Sequence, residues 1–283
     1  MPLQPMTYAV TRSLLFFAAA MAALTPGTRA DDLQGATHRG SAEFEKGFTN
    51  VASVEVHETL HGHFVYMKNC VFCHGKRGDG KGEMGLTVQP PPRDFGAGIF
   101  KYHSTPGGSL PTNDDLTRTV REGIADTAMP AFAALPQRDV QAVIEYVKTF
   151  SPKWRQPENY AAPIAIPKRP QWFDDAKEFA RHAENGRSLY AVSCAPCHGA
   201  KGDGIGGVTN LVDSWGHPAV ARDLRLPYLR RGRQLEDIYR VLVIGLDGTP
   251  MPSFAEGTTE EQRWELVAFI EQLRRENREH RRE

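Results

Sequence analysis

The chain has little cysteine, no net charge and no hydrophobic run long enough to cross a bilayer, and each shortage closes off a class of protein. Its four cysteines all fall within two short stretches, so none is left for a role elsewhere. Lysine plus arginine and aspartate plus glutamate both number 34, so nothing global marks a nucleic-acid or anionic-membrane binder. The apolar run Ser13–Leu24 is 12 residues long. A bilayer span needs roughly 20, and no later segment approaches that. Convincing period-two alternation is absent as well, which argues against a sheet.

What is present is one phrase written twice. "CVFCHGKRGDG" runs from Cys70 to Gly80 and "CAPCHGAKGDG" from Cys194 to Gly204. A C-x-x-C pair alone fits a redox dithiol, half a zinc site or a disulfide. A histidine directly after the second cysteine makes it the attachment signature of a c-type haem. Cys70 and Cys73, and likewise Cys194 and Cys197, would add to the haem vinyl groups, with His74 or His198 as axial iron ligand. A zinc site made of the four cysteines would need neither histidine, and two sites would need further ligands at zinc spacing. Two matching copies with no cysteine to spare point to two covalently bound haem c groups.

Arg12 precedes the apolar run, and the small residues Thr28 and Ala30 follow it. Residues 1–30 therefore read as a secretory signal peptide cleaved near Ala30, before Asp31. An uncleaved anchor is the competing reading, and the shortness of the run weighs against it. No transmembrane segment is then expected in the mature chain. At the other end, Arg274–Glu283 mixes charges and reads as a solvated, fraying helix end.

The repeat extends well beyond the haem phrase. Gly62 and Gly186 stand eight residues before their first cysteines, and Tyr66 and Tyr190 stand four before them. Farther on, Pro90–Phe95 matches Val220–Leu224, and Asp115–Phe132 matches Asp237–Phe254. Val140, Val143, Ile144 and Val147 keep helical spacing, as do Leu266, Val267, Ile270 and Leu273. Thr112 offers a cap for a helix through Glu122. Ser151–Trp172 holds five prolines and reads as a linker adhering to a surface through its aromatic residues. The organisation is a first domain over 43–150, the linker over 151–172 and a second domain over 173–283, both all-α.

A sixth iron ligand is sought by the same comparison. Met129 and Met251 occupy equivalent places, each within T-x-M-P-x-F. Met84 competes in the first domain, but Val208 stands at its counterpart and cannot ligate. Met67 lies too near the proximal side. His57, His61 and His63 read as helix-face or surface histidines, and His103 and His217 as solvated residues of the distal loops, with His217 the lesser alternative to Met251 as ligand. Arg93 and Arg222 are paired by the repeat, each followed by aspartate. Each is a candidate for a bidentate bond to a haem propionate. The other reading is an Arg–Asp pair that only stitches its own loop. The stretch Arg222–Arg233 is the more basic of the two distal loops, so the second haem is expected to hold its electron at the higher potential.

These motifs resemble the tandem diheme members of the class I cytochrome c family. The resemblance covers both repeats and implies two all-helical domains, each with an N-terminal helix crossing a C-terminal one. It implies one-electron transport in the bacterial periplasm between periplasmic or membrane-bound redox proteins, with no catalytic residue of its own. Diheme oxidoreductases, peroxidase-like or thiosulfate-oxidising, share the two attachment motifs and form the alternative, with one haem opening for substrate. An axial cysteine, as some thiosulfate dehydrogenases use, is excluded because all four cysteines are occupied. The distal span is longer than in the smallest members, and its extra loop Gly96–Thr112 has no family role to inherit.

Overall fold

The computed structural model describes residues 52–232 and 234–280, with side chains from Glu58 onward. The leader over 1–30, its cleavage at Ala30, the first domain's start at residue 43, the His57 side chain and Arg233 lie outside the described residues. The chain divides into the units Met1–Ser53 and Val54–Glu283, and the second holds the core.

Among the described residues, eight α-helices fall into two series of four. Helices α1 (Ala52–Asn69), α2 (Val71–His74), α3 (Asn113–Glu122) and α4 (Gln137–Lys148) form the first. Helices α5 (Ala176–Ser193), α6 (Ala195–His198), α7 (Leu235–Ile244) and α8 (Glu260–His280) repeat the order. Among the described residues there is no strand, only the isolated bridges Val212 with Pro218 and Leu229 with Gly232. The all-α class is what the repeat led us to expect.

Local chemistry sets the helix starts. Thr112 Oγ1 accepts the Asp115 N–H at 3.1 Å, and the Asp115 carboxylate accepts the Thr112 N–H at 3.0 Å, so α3 opens on a reciprocal cap. In α7, Asp237 takes the same part toward the Gln234 N–H at 3.4 Å. Val140, Val143 and Ile144 bury one face of α4. On α8 the buried run Trp264–Ile270 reaches round the helix. Each large apolar side chain buried this way contributes about 2 kcal/mol.

In both series the first helix crosses the last at a glycine. A Cβ on Gly62 would stand 2.2 Å from Ala142 O, and one on Gly186 would stand 2.0 Å from Glu265 O. Only a missing side chain lets the backbones meet so closely. Beside the crossings, Tyr66 packs on Tyr146 with ring centroids 5.3 Å apart, and Tyr190 on Phe269 at 5.0 Å. A histidine–carboxylate pair also ties each crossing, His61 Nε2 to Asp139 at 2.8 Å and the buried His182 Nδ1 to Glu265 at 2.9 Å. His61 is therefore half-buried and partnered.

Ser151–Trp172 starts along the first series in two short 3-10 turns and ends on the second, where a third turn (Gln171–Asp174) stacks Trp172 on His182. Trp154 is buried edge-on to Phe100, and Tyr160 Oη donates to Trp154 O at 2.6 Å. Leu110 N–H donates to Asn159 O and Ile164 N–H to Ser104 O, both at 2.8 Å, so the segment is sewn onto the extra loop Gly96–Thr112. One expectation at the C-terminus is corrected at its first residue, while Arg275, Glu276, Glu279 and His280 are exposed as read. The helix continues to His280, and Arg274, 2% exposed, donates to Leu226 O and Pro227 O. That end is an anchor for the second distal loop because unpaired carbonyls there need a donor.

Candidate functional site

Each attachment phrase begins where a long helix stops. Cys70 and Cys194 stand at the starts of the one-turn helices α2 and α6. Their N–H groups still donate to Tyr66 O and Tyr190 O, at 2.8 and 2.9 Å. The same buried tyrosines send their hydroxyls to Gly75 O and Gly199 O, both at 2.7 Å, which fixes the loop after the histidine. Burial, reinforced by the neighbouring cysteine, pushes the Cys70 thiol up to about 12 and the Cys194 thiol up to about 11. A redox dithiol needs the opposite, a lowered thiol. The two pairs also stay apart. Among the described residues, the group of histidine, cysteine and carboxylate ligands close enough to share a metal is His182, Glu261 and Glu265. The four-cysteine zinc reading has no geometry behind it.

The histidines of the two phrases are oriented alike. His74 Nδ1 lies 3.4 Å from Arg93 O and His198 Nδ1 lies 2.9 Å from Arg222 O. A carbonyl can only accept, so each Nδ1 carries the hydrogen and each Nε2 the free lone pair. Burial lowers His74 to about 4 and lowers His198 as well, against the opposing pull of the carbonyls. Both are neutral at pH 7, the form in which imidazole binds a metal. The arginine segments are held in turn, since Phe95 N–H donates to Gly78 O and Leu224 N–H to Gly202 O, both at 2.7 Å.

The methionine loops are one turn built twice. Thr127 Oγ1 donates to Ile124 O at 2.8 Å and accepts the Met129 N–H at 3.1 Å. Thr249 does the same with Leu246 O at 2.7 Å and the Met251 N–H at 3.2 Å. Ile124 N–H and Leu246 N–H close the loops on Met129 O and Met251 O, at 3.0 and 3.1 Å. Asp126 and Gly248 hold the same left-handed position in them, at φ 52° and 74°. Met84, by contrast, sits on an exposed turn with its sulfur 3.3 Å from the Thr87 hydroxyl.

Arg93 and Arg222 do not stitch their own loops. The Arg93 guanidinium lies 4.2 Å from the ring of Trp215 in the second repeat. Arg222 pairs with Asp126 of the first. Around them the Nε atoms of Arg222, Arg230 and Arg240 and Nη1 of Arg231 are buried without a partner. Lys101 is pushed down to about 8, by burial first and then by Arg93 and Arg230. A cluster of buried cations with unused donors is a place for anionic carboxylates. The donor set thus fits haem c at both ends: free Nε2 groups for iron and arginines for propionates.

Of the two distal-loop histidines, one matches expectation and one does not. His217 is exposed, near Asp213 at 3.4 Å, as read from the sequence. His103 is buried between the repeats, 3.2 Å from Asp247. Its loop is covered by the linker and by the second methionine loop, and no pattern within one repeat could have announced that. Trp215 was missed for the same reason.

Comparison with known proteins follows the repeat. The family model described as cytochrome c oxidase, cbb3-type, subunit III matches residues 57–147 and again residues 181–270. A solved chain from the reducing HAO-like protein complex of Kuenenia stuttgartiensis is similar, with a TM-score of 0.70 and 30% identity. The likeness covers 75% of this chain and 95% of that one. No curated protein matches.

Proposed function

Because this chain belongs to the cytochrome c family described as cytochrome c oxidase, cbb3-type, subunit III, and matches it in both halves, we propose that it is a periplasmic carrier of single electrons with two covalent haems. Its domains are cytochrome c domains, and electron transfer is their general role. The finer reading assigns Cys70, Cys73, Cys194 and Cys197 to attachment, His74 and His198 to the proximal positions, and Met129 and Met251 to the distal ones. Arg93 and Arg222 are assigned to propionates. The domains run over 43–150 and 173–283, joined by the linker 151–172.

One observation carries this reading: the bond from histidine Nδ1 to arginine carbonyl is made twice, at His74 and at His198, and leaves each Nε2 for iron. The haem supplies a one-electron iron couple. The chain's own residues keep each histidine neutral, point it, and present a thioether from a loop closed by a threonine hydroxyl. With His74 and Met129, and His198 and Met251, as the two donors of each site, no position would be left for substrate, which favours a carrier over a diheme peroxidase or thiosulfate oxidase. The likeness to a chain of a reducing HAO-like complex supports a role as the electron-carrying member of a redox assembly. Export to the periplasm rests on reading residues 1–30 as a secretory leader. No helix among the described residues is long and apolar enough to cross a membrane.

The test is intact mass after acid–acetone extraction, combined with N-terminal sequencing. Two haems retained on a chain beginning at Asp31 is the expected result. One haem, or zinc in place of iron, would overturn the reading. Stoichiometric carbon monoxide binding by the unmutated ferrous protein would revive the oxidoreductase alternative.

A further inference from the structure

The two methionine loops are each tied to the opposite repeat, by different residues. Asp247 stands four residues before Met251. Its carboxylate accepts the Gly108 N–H at 2.7 Å and lies 3.2 Å from His103 Nε2. Both partners belong to the extra loop Gly96–Thr112 of the first repeat. A proton count assigns one ring nitrogen. The Thr105 hydroxyl donates its one hydrogen to Leu110 O at 2.9 Å. Toward His103 Nδ1, at 2.9 and 3.0 Å, both Thr105 oxygens can therefore only accept, so Nδ1 carries hydrogen. The other ring nitrogen, Nε2, is the one turned to the Asp247 carboxylate, close to it but outside hydrogen-bond geometry. The histidine side chain has no exposed surface and that of Asp247 is 19% exposed, so the pair is shielded from water. Removing one partner of such a pair is costly.

The reverse connection is made at the other loop. Asp126, three residues before Met129, pairs with Arg222 of the second repeat. Its left-handed backbone is one that a residue with a side chain keeps only when its surroundings impose it.

We propose that each repeat positions the distal ligand of the other: His103 and Gly108 of the first hold Met251 through Asp247, and Arg222 of the second holds Met129 through Asp126. This rests on the methionine ligation proposed above. His103, Asp247 and Asp126 are positioning residues that act on iron only through the methionine loops. A change made in one repeat is then read at the iron of the other.

The experiment uses the full-length, haem-loaded chain and the sulfur-to-iron charge-transfer band of the oxidised protein. A Met129→His background silences the first iron's band, so what remains reports Met251. In it, His103→Gln is expected to weaken the band and to raise carbon monoxide affinity at the second haem by roughly tenfold, the population shift of a loosened loop. His61→Gln, which breaks a pair confined to the first repeat, leaves that band unchanged. Should His103→Gln fail to fold, Asp126→Asn in a Met251→His background gives the mirror measurement at the first haem, since Asp126 is 47% exposed. Variants that lower only the unfolding temperature, with the opposite band and carbon monoxide affinity unchanged, overturn the proposal. Absence of any sulfur band in the unmutated protein overturns the ligand assignment itself, and this proposal with it, before a variant is made.

Discussion

Met129 and Met251 each depend on a threonine two residues earlier, whose hydroxyl both closes the turn and takes the methionine N–H. The loop is thus shaped by its own side chains before any sulfur is engaged. Met129→Ala and Met251→Ala are each expected to open one haem to carbon monoxide and lower that haem's potential, because a soft thioether favours the reduced iron. Spectra of each variant with and without carbon monoxide check this. At this scale the sequence was informative wherever a residue had a twin. Tyr66 and Tyr190, Arg93 and Arg222, and the two methionines all appear by laying one half on the other. The pairing does not say what each twin touches: the tyrosines proved to hold Gly75 O and Gly199 O. His103 and Trp215 have no twin, and their partners lie in the other half, so periodicity had nothing to show.

Among elements, the crossings of α1 with α4 and of α5 with α8 are the most constrained features. Gly62→Ala and Gly186→Ala would each set a methyl against a backbone carbonyl, at 2.2 and 2.0 Å. The helices must spread, at a cost of about 1–3 kcal/mol. That outweighs the gain of roughly 1 kcal/mol that alanine brings to a helix interior. Thermal unfolding should show both variants less stable than the parent. Gly207→Ala, with nothing within 4 Å of the added atom, should be neutral. The helices themselves were legible because caps and three-and-four spacing are local signals. The place where two of them meet was legible only as an unexplained glycine. The C-terminal run was misread, since Arg274 looks like any charge in a mixed run until the carbonyls of Leu226 and Pro227 are seen beside it.

For the whole molecule the arginines matter more than either domain alone. Arg230 and Arg231 of the second repeat act on Tyr102 of the first, where burial raises the phenol and four arginines oppose it. The basic excess counted in the second distal loop is therefore shared, and the two potentials should lie closer than that count suggests. Lys101 supplies the pH dependence. Its folded value of about 8 is depressed by burial, Arg93 and Arg230. Carboxylates seated among these cations would move it upward from there. As pH rises past that point the ammonium is lost, positive charge near iron falls, and the oxidised state gains. Potentials should thus be level through pH 8 and decline only above the raised value, by at most ~59 mV per pH unit for one electron. Lys101→Met should flatten the decline in a potentiometric titration at several pH values. The crossing of the two arginines has one more consequence, in the language of symmetry. Arg93 reaches forward to Trp215 as Arg222 reaches back to Asp126, yet Trp215 and Asp126 are not equivalent positions, so the repeats meet reciprocally without a twofold match. The two halves are therefore not interchangeable: a chain built from two copies of the first would lack the tryptophan, and one built from two copies of the second would lack the aspartate.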